Sequence, residues 1–91
     1  MGLLDEKTIL VTGGSTGIGR ATAQILSREG ARVIIADVQD KEGHETVSLI
    51  KEDGGIAEYH HVDVTQYQEV RKVVQDTAAR YTKLDGAFNN A

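Results

Sequence analysis

The sequence contains no cysteine and no proline, and its only aromatic residues are three tyrosines and one phenylalanine. Without cysteine there are no disulfides, no thiolate zinc sites and no cysteine nucleophile. Without proline, no element is broken by a missing N–H or a fixed φ. Tyr59, Tyr67 and Tyr81 are too dispersed to form a stacking platform for nucleic-acid bases. Positive charge is also scarce: 10 Lys and Arg stand against 14 Asp and Glu, a net charge of −4. That balance argues against a nucleic-acid or anionic-membrane partner, because both attract basic surfaces. There is no apolar run of membrane-spanning length and no basic-plus-apolar leader. Met1-Gly2 opens like a myristoylation signal, but Glu6 occupies the position where Ser or Thr is required. The expectation is a soluble cytoplasmic protein. Its 91 residues allow one small domain, burying about 60–65% of its unfolded surface.

What is present is an alternation of two hydrophobic periods. Thr8-Ile9-Leu10-Val11-Thr12 and Val33-Ile34-Ile35-Ala36 are near-continuous aliphatic runs, the signature of strands buried on both faces of a parallel sheet. Between them, Gly17 to Glu29 favours helix, with Ile18, Ala21 and Ile25 on one stripe and Gly30 as a left-handed cap. A second helix is expected over Lys41–Asp53, with Asp40 as N-cap and Gly54-Gly55 as its end. Gly43, Thr46 and Val47 weaken its propensity. A third strand fits Ala57–Val62, and Thr65 with Gln68 reads as a capping box. The following helix carries Val70, Val73, Val74, Thr77, Ala78 and Tyr81 on one face. Gly86-Ala87-Phe88-Asn89 begins a fourth strand. The order β-α-β-α-β-α-β predicts an α/β fold, a doubly wound parallel sheet of Rossmann type with right-handed crossovers.

The turn between the first strand and first helix reads Thr12-Gly13-Gly14-Ser15-Thr16-Gly17-Ile18-Gly19. A pyrophosphate approaches a backbone most closely where no Cβ intervenes, and a helix N-terminus offers free N–H groups and a positive dipole end. Gly13 would make the tight turn, Gly17 would admit the phosphates, and Gly19 would let helix pack on strand. Ser15 and Thr16 could add hydroxyl hydrogen bonds. The spacing is G-x-x-x-G-x-G, which is neither the G-x-G-x-x-G fingerprint nor a P-loop, since Arg20 follows Gly19. A ligand-free glycine-rich turn is the plain alternative. Asp37 ends the second strand about 20 residues further on, where an acidic side chain accepts from ribose hydroxyls. Its alternative is a strand-end turn or cap. A carboxylate there repels the 2′-phosphate of NADP, and neither Thr16 nor Val38 is basic, so NAD is favoured over NADP.

Taken together, these residues resemble the short-chain dehydrogenase/reductase family, in its N-terminal coenzyme-binding portion. Thr12-Gly13-x-x-x-Gly17-Ile18-Gly19 matches the family's coenzyme loop, and Asp37 its NAD-selecting residue. Asp63-Val64 matches the pair flanking the adenine ring, and Asn89-Asn90-Ala91 the start of the Asn-Asn-Ala-Gly motif. The resemblance implies that residues 1–91 form a partial NAD(P)-binding Rossmann domain of an oxidoreductase. That enzyme would move hydride between nicotinamide and a small-molecule alcohol or carbonyl substrate. Gly13, Ser15, Thr16, Gly17, Ile18 and Gly19 would serve the phosphates and adjoining ribose, with Asn90 and Ala91 at the inner ribose. A homo-oligomer is implied for the full-length enzyme, since members commonly form dimers or tetramers.

The catalytic residues of that family are a Ser and a Tyr-x-x-x-Lys pair, which lie well beyond the Asn-Asn-Ala-Gly motif. Here Tyr59, Tyr67 and Tyr81 are followed at the fourth position by Asp63, Arg71 and Asp85. None matches, so no catalytic residue is assigned and these 91 residues alone are expected to be inactive. The rival readings are a non-catalytic nucleotide-binding module and a truncated, non-functional product. A metal site is not expected: His60 and His61 are strand neighbours pointing to opposite faces, and His44 lies on another element.

Overall fold

A computed structural model describes residues 2–81 and 84–89. Four strands, β1 (Thr8–Thr12), β2 (Arg32–Asp37), β3 (Ile56–His61) and β4 (Gly86–Asn89), alternate with helices α1 (Gly17–Arg28), α2 (Asp40–Glu52) and α3 (Tyr67–Tyr81). The strands form one parallel sheet in the order β3-β2-β1-β4. The expected α/β class, element order and parallel pairing are all present. β3 lies one residue earlier than the expected Ala57–Val62, although the Val62 N–H continues the ladder to the Asp37 carbonyl.

The continuous aliphatic runs are explained by helices on both faces of the sheet. On one face, Val11, Val33, Ile35 and Ala57 pack with Ala23 of α1 and with Val47 and Ile50 of α2. On the other, Leu10, Ile34, Ala36 and Val62 pack with Val73 of α3. The α3 stripe behaves as its sequence predicts: Val73 and Thr77 are buried, and Val70, Val74, Ala78 and Tyr81 are half-buried.

α1 departs from its expected orientation. Ile18 and Ile25 are 70% and 59% exposed, and Ala21 between them is exposed too. The side facing the sheet is instead lined by Gly19, Ala23 and half-buried Leu26, roughly 130° around the helix at 100° per residue. Small residues there bring helix and sheet together, which the larger Ile side chains would prevent. The chain leaves α1 through Glu29 and Gly30, whose φ of +100° confirms the left-handed cap.

Two expected caps are replaced by other contacts. Gln39, not Asp40, is the N-cap of α2, and it makes no side-chain cap bond. Asp40 is the first helical residue, and its carboxylate turns to Tyr59 and His61. Ahead of α3 there is no Thr65–Gln68 box. The Thr65 N–H and hydroxyl both donate to Asp63 Oδ1, at 3.0 and 2.7 Å, while Glu69 Oε1 accepts the Asp63 N–H at 3.1 Å. The closed turn starts at Asp63, two residues before the position the box assumes. At the other end of α2, Gly54 (φ +85°) and Gly55 return hydrogen bonds to Lys51 and Ile50, as their sequence implied. No helix among the described residues is long and apolar enough to cross a membrane.

Candidate functional site: a cleft at the carboxyl ends of the strands

In an open α/β sheet the strand termini and the helix N-termini that follow them share one rim, which is where ligands bind. On that rim a cleft of about 240 Å³ is lined by Gly13, Thr16, Asp37, Val38, Gln39, Val62, Asp63 and Val64. These residues come from the ends of β1, β2 and β3, so three separate stretches of sequence converge on one space.

The glycine-rich turn forms its floor. Gly13 has φ +68°, the left-handed conformation that a tight strand-to-helix turn requires, and its N–H donates to the Ala36 carbonyl at 3.0 Å. Gly17 has φ +58° and opens α1, and a Cβ placed there would meet no atom within 4 Å. Space in front of Gly17 combines with unused donors, since the first N–H groups of a helix lack intrahelical acceptors. Thr16, the N-cap, makes no side-chain cap bond, and no acidic residue occupies the first turn of α1. The helix end is thus electropositive and uncapped, a set of donors that fits an anion such as a pyrophosphate.

Ser15, the expected hydroxyl donor to ligand, is set back from the cleft surface. It is fully buried, does not line the cleft, and its Oγ has no hydrogen-bond partner. Its backbone carries the interactions: the N–H donates to Asp37 Oδ2 at 3.3 Å, and the carbonyl accepts from Thr46 Oγ1 at 3.0 Å. Thr16 is exposed and does line the cleft; Ile18 is exposed, and Gly19 is buried on the sheet-facing side of α1.

Asp37 forms the cleft's second wall. Its Oδ1 accepts the N–H of Val38 at 2.7 Å, and its Oδ2 faces the glycine turn through Ser15. These bonds fix the carboxylate plane and leave acceptor capacity for further donors. Asp63 and Val64 complete the opposite wall. The hydroxyl and backbone N–H of Thr65 hold the Asp63 carboxyl below its ordinary value of 3.8, so it is a second fixed negative charge on the rim. Among the described residues, two carboxylates and no cation line the space. Asn89 sits in register with Thr12, whose hydroxyl is 2.9 Å from Asn89 Oδ1. Asn90 and Ala91 lie outside the described residues.

Val38, Gln39 and Val62 also line the cleft, although no motif in the sequence singled them out. Their signal was position: Val38 and Gln39 are the two residues after β2, Val38 noted in the sequence only as not basic, and Val62 directly follows β3. His60 and His61 lie on opposite faces of β3, hydrogen-bonded to Glu58 and Asp40 respectively, and do not converge.

Comparison with known proteins gives the same picture. The short chain dehydrogenase family matches residues 7–91. A 2,5-dichloro-2,5-cyclohexadiene-1,4-diol dehydrogenase of Sphingobium indicum is 47% identical over 88 residues, covering 97% of this chain and 34% of that one. Among solved structures, an NAD+-bound xylitol dehydrogenase superposes with a TM-score of 0.92 at 31% identity, covering 98% of this chain and 34% of its own. A metagenomic short-chain oxidoreductase in complex with NADP also gives 0.92 at 31% identity, with 97% and 40% covered. The chain therefore spans about a third of the length of the relatives it matches. With the family matched across nearly the whole chain and the fold shared at this level, the protein belongs to the short-chain dehydrogenase family.

Proposed function

We propose that this chain is the N-terminal, coenzyme-binding part of a short-chain oxidoreductase, that residues 1–91 supply much of its adenosine half-site, and that it prefers NAD to NADP. The observation that carries the reading is the Asp37 carboxylate, anchored by the Ser15 and Val38 N–H groups at the edge of a cleft with no cation among its described lining residues. Such a carboxylate accepts from ribose hydroxyls and repels a 2′-phosphate. The uncapped N-terminus of α1, reached past Gly13 and Gly17, would take the pyrophosphate. Asp63 and Val64 would flank the adenine, with Asn90 and Ala91 toward the inner ribose. The bound dinucleotide would supply a hydride donor or acceptor for an alcohol or carbonyl substrate in the complete enzyme. These residues hold and orient the coenzyme and contribute no acid–base group to the chemistry.

Titration calorimetry with NAD and NADP tests the reading, with circular dichroism to confirm folding. The expected outcome is tighter binding of NAD than of NADP, and an Asp37→Ala variant that weakens NAD about tenfold or more while narrowing the gap to NADP. Equal affinities in the wild type, or an indifferent Asp37→Ala variant, would remove Asp37 from the ribose site.

A further inference from the structure

The turn that carries Asp37 is held from behind by a second set of side chains. Tyr59 and His61 are alternate residues of β3, so both face α2, and both reach Asp40 at that helix's first position. Tyr59 Oη lies 2.6 Å from Asp40 Oδ1 and 2.8 Å from the Asp37 carbonyl oxygen. The hydroxyl has one proton to give, and the ionised carboxylate at the shorter distance takes it. The Asp37 carbonyl is supplied by the Val62 N–H at 2.8 Å. His61 Nδ1 closes the group at 2.7 Å from the same Asp40 oxygen. The Tyr59 ring lies on the backbone of α2 at Gly43: a Cβ at Gly43 would fall 2.1 Å from Tyr59 Cε1. The His44 ring also packs on Tyr59, tilted, with centroids 4.9 Å apart. Residues 37–40 are thereby pinned at both ends, while Val38 and Gln39 between them line the cleft.

We propose that Tyr59 and Asp40 are positioning residues for Asp37, locking the 37–40 turn so that its carboxylate already faces the ribose hydroxyls before the dinucleotide binds. The inference rests on the ribose-binding reading of Asp37 and extends it to residues that do not touch ligand. Rigidity of this kind raises affinity by removing the cost of ordering the turn on binding. Its effect is confined to interactions made through the Asp37 carboxylate.

The test uses the intact protein and two ligands, NAD and its analogue lacking the adenosine 2′-hydroxyl, each titrated against wild type, Tyr59→Phe, Asp40→Asn and Asp37→Ala. Tyr59→Phe keeps the ring on Gly43, and thermal melts confirm that each variant is folded. Tyr59→Phe and Asp40→Asn are expected to weaken NAD about threefold to tenfold, less than the full worth of a charge-assisted hydrogen bond, because the lost bond lies behind the ribose site and not in it. They should weaken the 2′-deoxy analogue by a clearly smaller factor, since it has lost one of the two ribose-hydroxyl contacts to Asp37. Combining Tyr59→Phe with Asp37→Ala should cost no more than Asp37→Ala alone. Equal losses for both ligands, or multiplying losses in the double variant, would mean that the cluster only stabilises the fold. An affinity unchanged by Tyr59→Phe and Asp40→Asn, with Asp37→Ala still weakened, would sink the clamp and spare the ribose site. Indifference to Asp37→Ala would sink both.

Discussion

The edge strand β3 carries an imidazole and a carboxylate partner on each of its faces, and the two faces use this chemistry for different ends. On the α2 side, Tyr59 and His61 converge on Asp40 and fix the turn at the mouth of the cleft. On the α3 side, Glu58 takes His60 Nε2 on one oxygen and Arg80 with the Tyr81 hydroxyl on the other. That second group fastens the last turn of α3 to the sheet, far from the glycine-rich rim. The difference lies in which helix end each face presents. The parallel connection places the N-terminus of α2 beside the carboxyl end of β3, whereas α3 runs back and brings its C-terminal turn against the strand's middle. One alternation of side chains along six residues thus separates a site-building face from a stabilising one.

The same contrast holds in the core. Ile35 and Ile34 are adjacent, both essentially inaccessible, and point to opposite faces of β2. Ile35 sits under two helices, while Ile34 sits under α3 alone. Replacement by Ala in either place should cost about 2–5 kcal/mol, with the spread set by how far the surroundings collapse into the cavity. Ile35→Ala is expected at the upper end, because Ala23 and Val47 are tied to two helix backbones. Ile34→Ala should fall lower, because a single helix settles more freely. Urea unfolding of both variants measures the difference, and equal costs would mean that the two faces are packed alike.

Gly43 sharpens the comparison on the α2 face. Gly43→Ala places a methyl group where the Tyr59 ring lies, which should cost about 1–3 kcal/mol as overpacking despite the better helix propensity of Ala. Tyr59→Leu in the same chain should recover most of that loss in a denaturation experiment. A stabilised single variant would show that the ring is free to move aside.

Gly43 also marks the limit of what the sequence made legible. As a lone residue it reads as a weakness in α2, since its partner lies 16 positions away on another element. The element order, the parallel sheet, the glycine turn and Asp37 are legible because each is a local pattern or a fixed spacing. α1 is misread for the opposite reason. Its largest apolar residues form a good stripe, yet contact with the sheet selects the small side chains of Gly19 and Ala23. Caps fail similarly: Asp40 and Thr65 have the right residue types, but Tyr59 with His61 and Asp63 capture their oxygens first. Competition between partners distant in sequence has no one-dimensional signature.

The smallest expected effect concerns pH and the Asp40–His61 pair. Hydrogen bonding to Asp40, then its charge, raises the His61 pKa above the ordinary 6.5, with Glu69 and Asp63 adding to the pull. A folded-state value above the unfolded one means that the stabilisation is fully present below about pH 6.5 and is lost as pH rises through the raised value. The Asp40 carboxyl is held below its ordinary 3.8, first by the Tyr59 hydroxyl and then by His61. Its contribution is present above pH 3.8 and disappears as pH falls through the lowered value. Both contributions coexist between about pH 4 and 6.5. Both groups are open to solvent, so the effect is screened by salt and small. Thermal melts at low ionic strength should show a shallow loss of stability above pH 6.5 that His61→Asn and Asp40→Asn each flatten. The α3-side Glu58→Gln variant should retain that slope, because Glu58 does not reach Asp40 or His61 across the strand. A slope abolished by Glu58→Gln would show that the two faces of β3 are coupled, and the division of labour between them would fail.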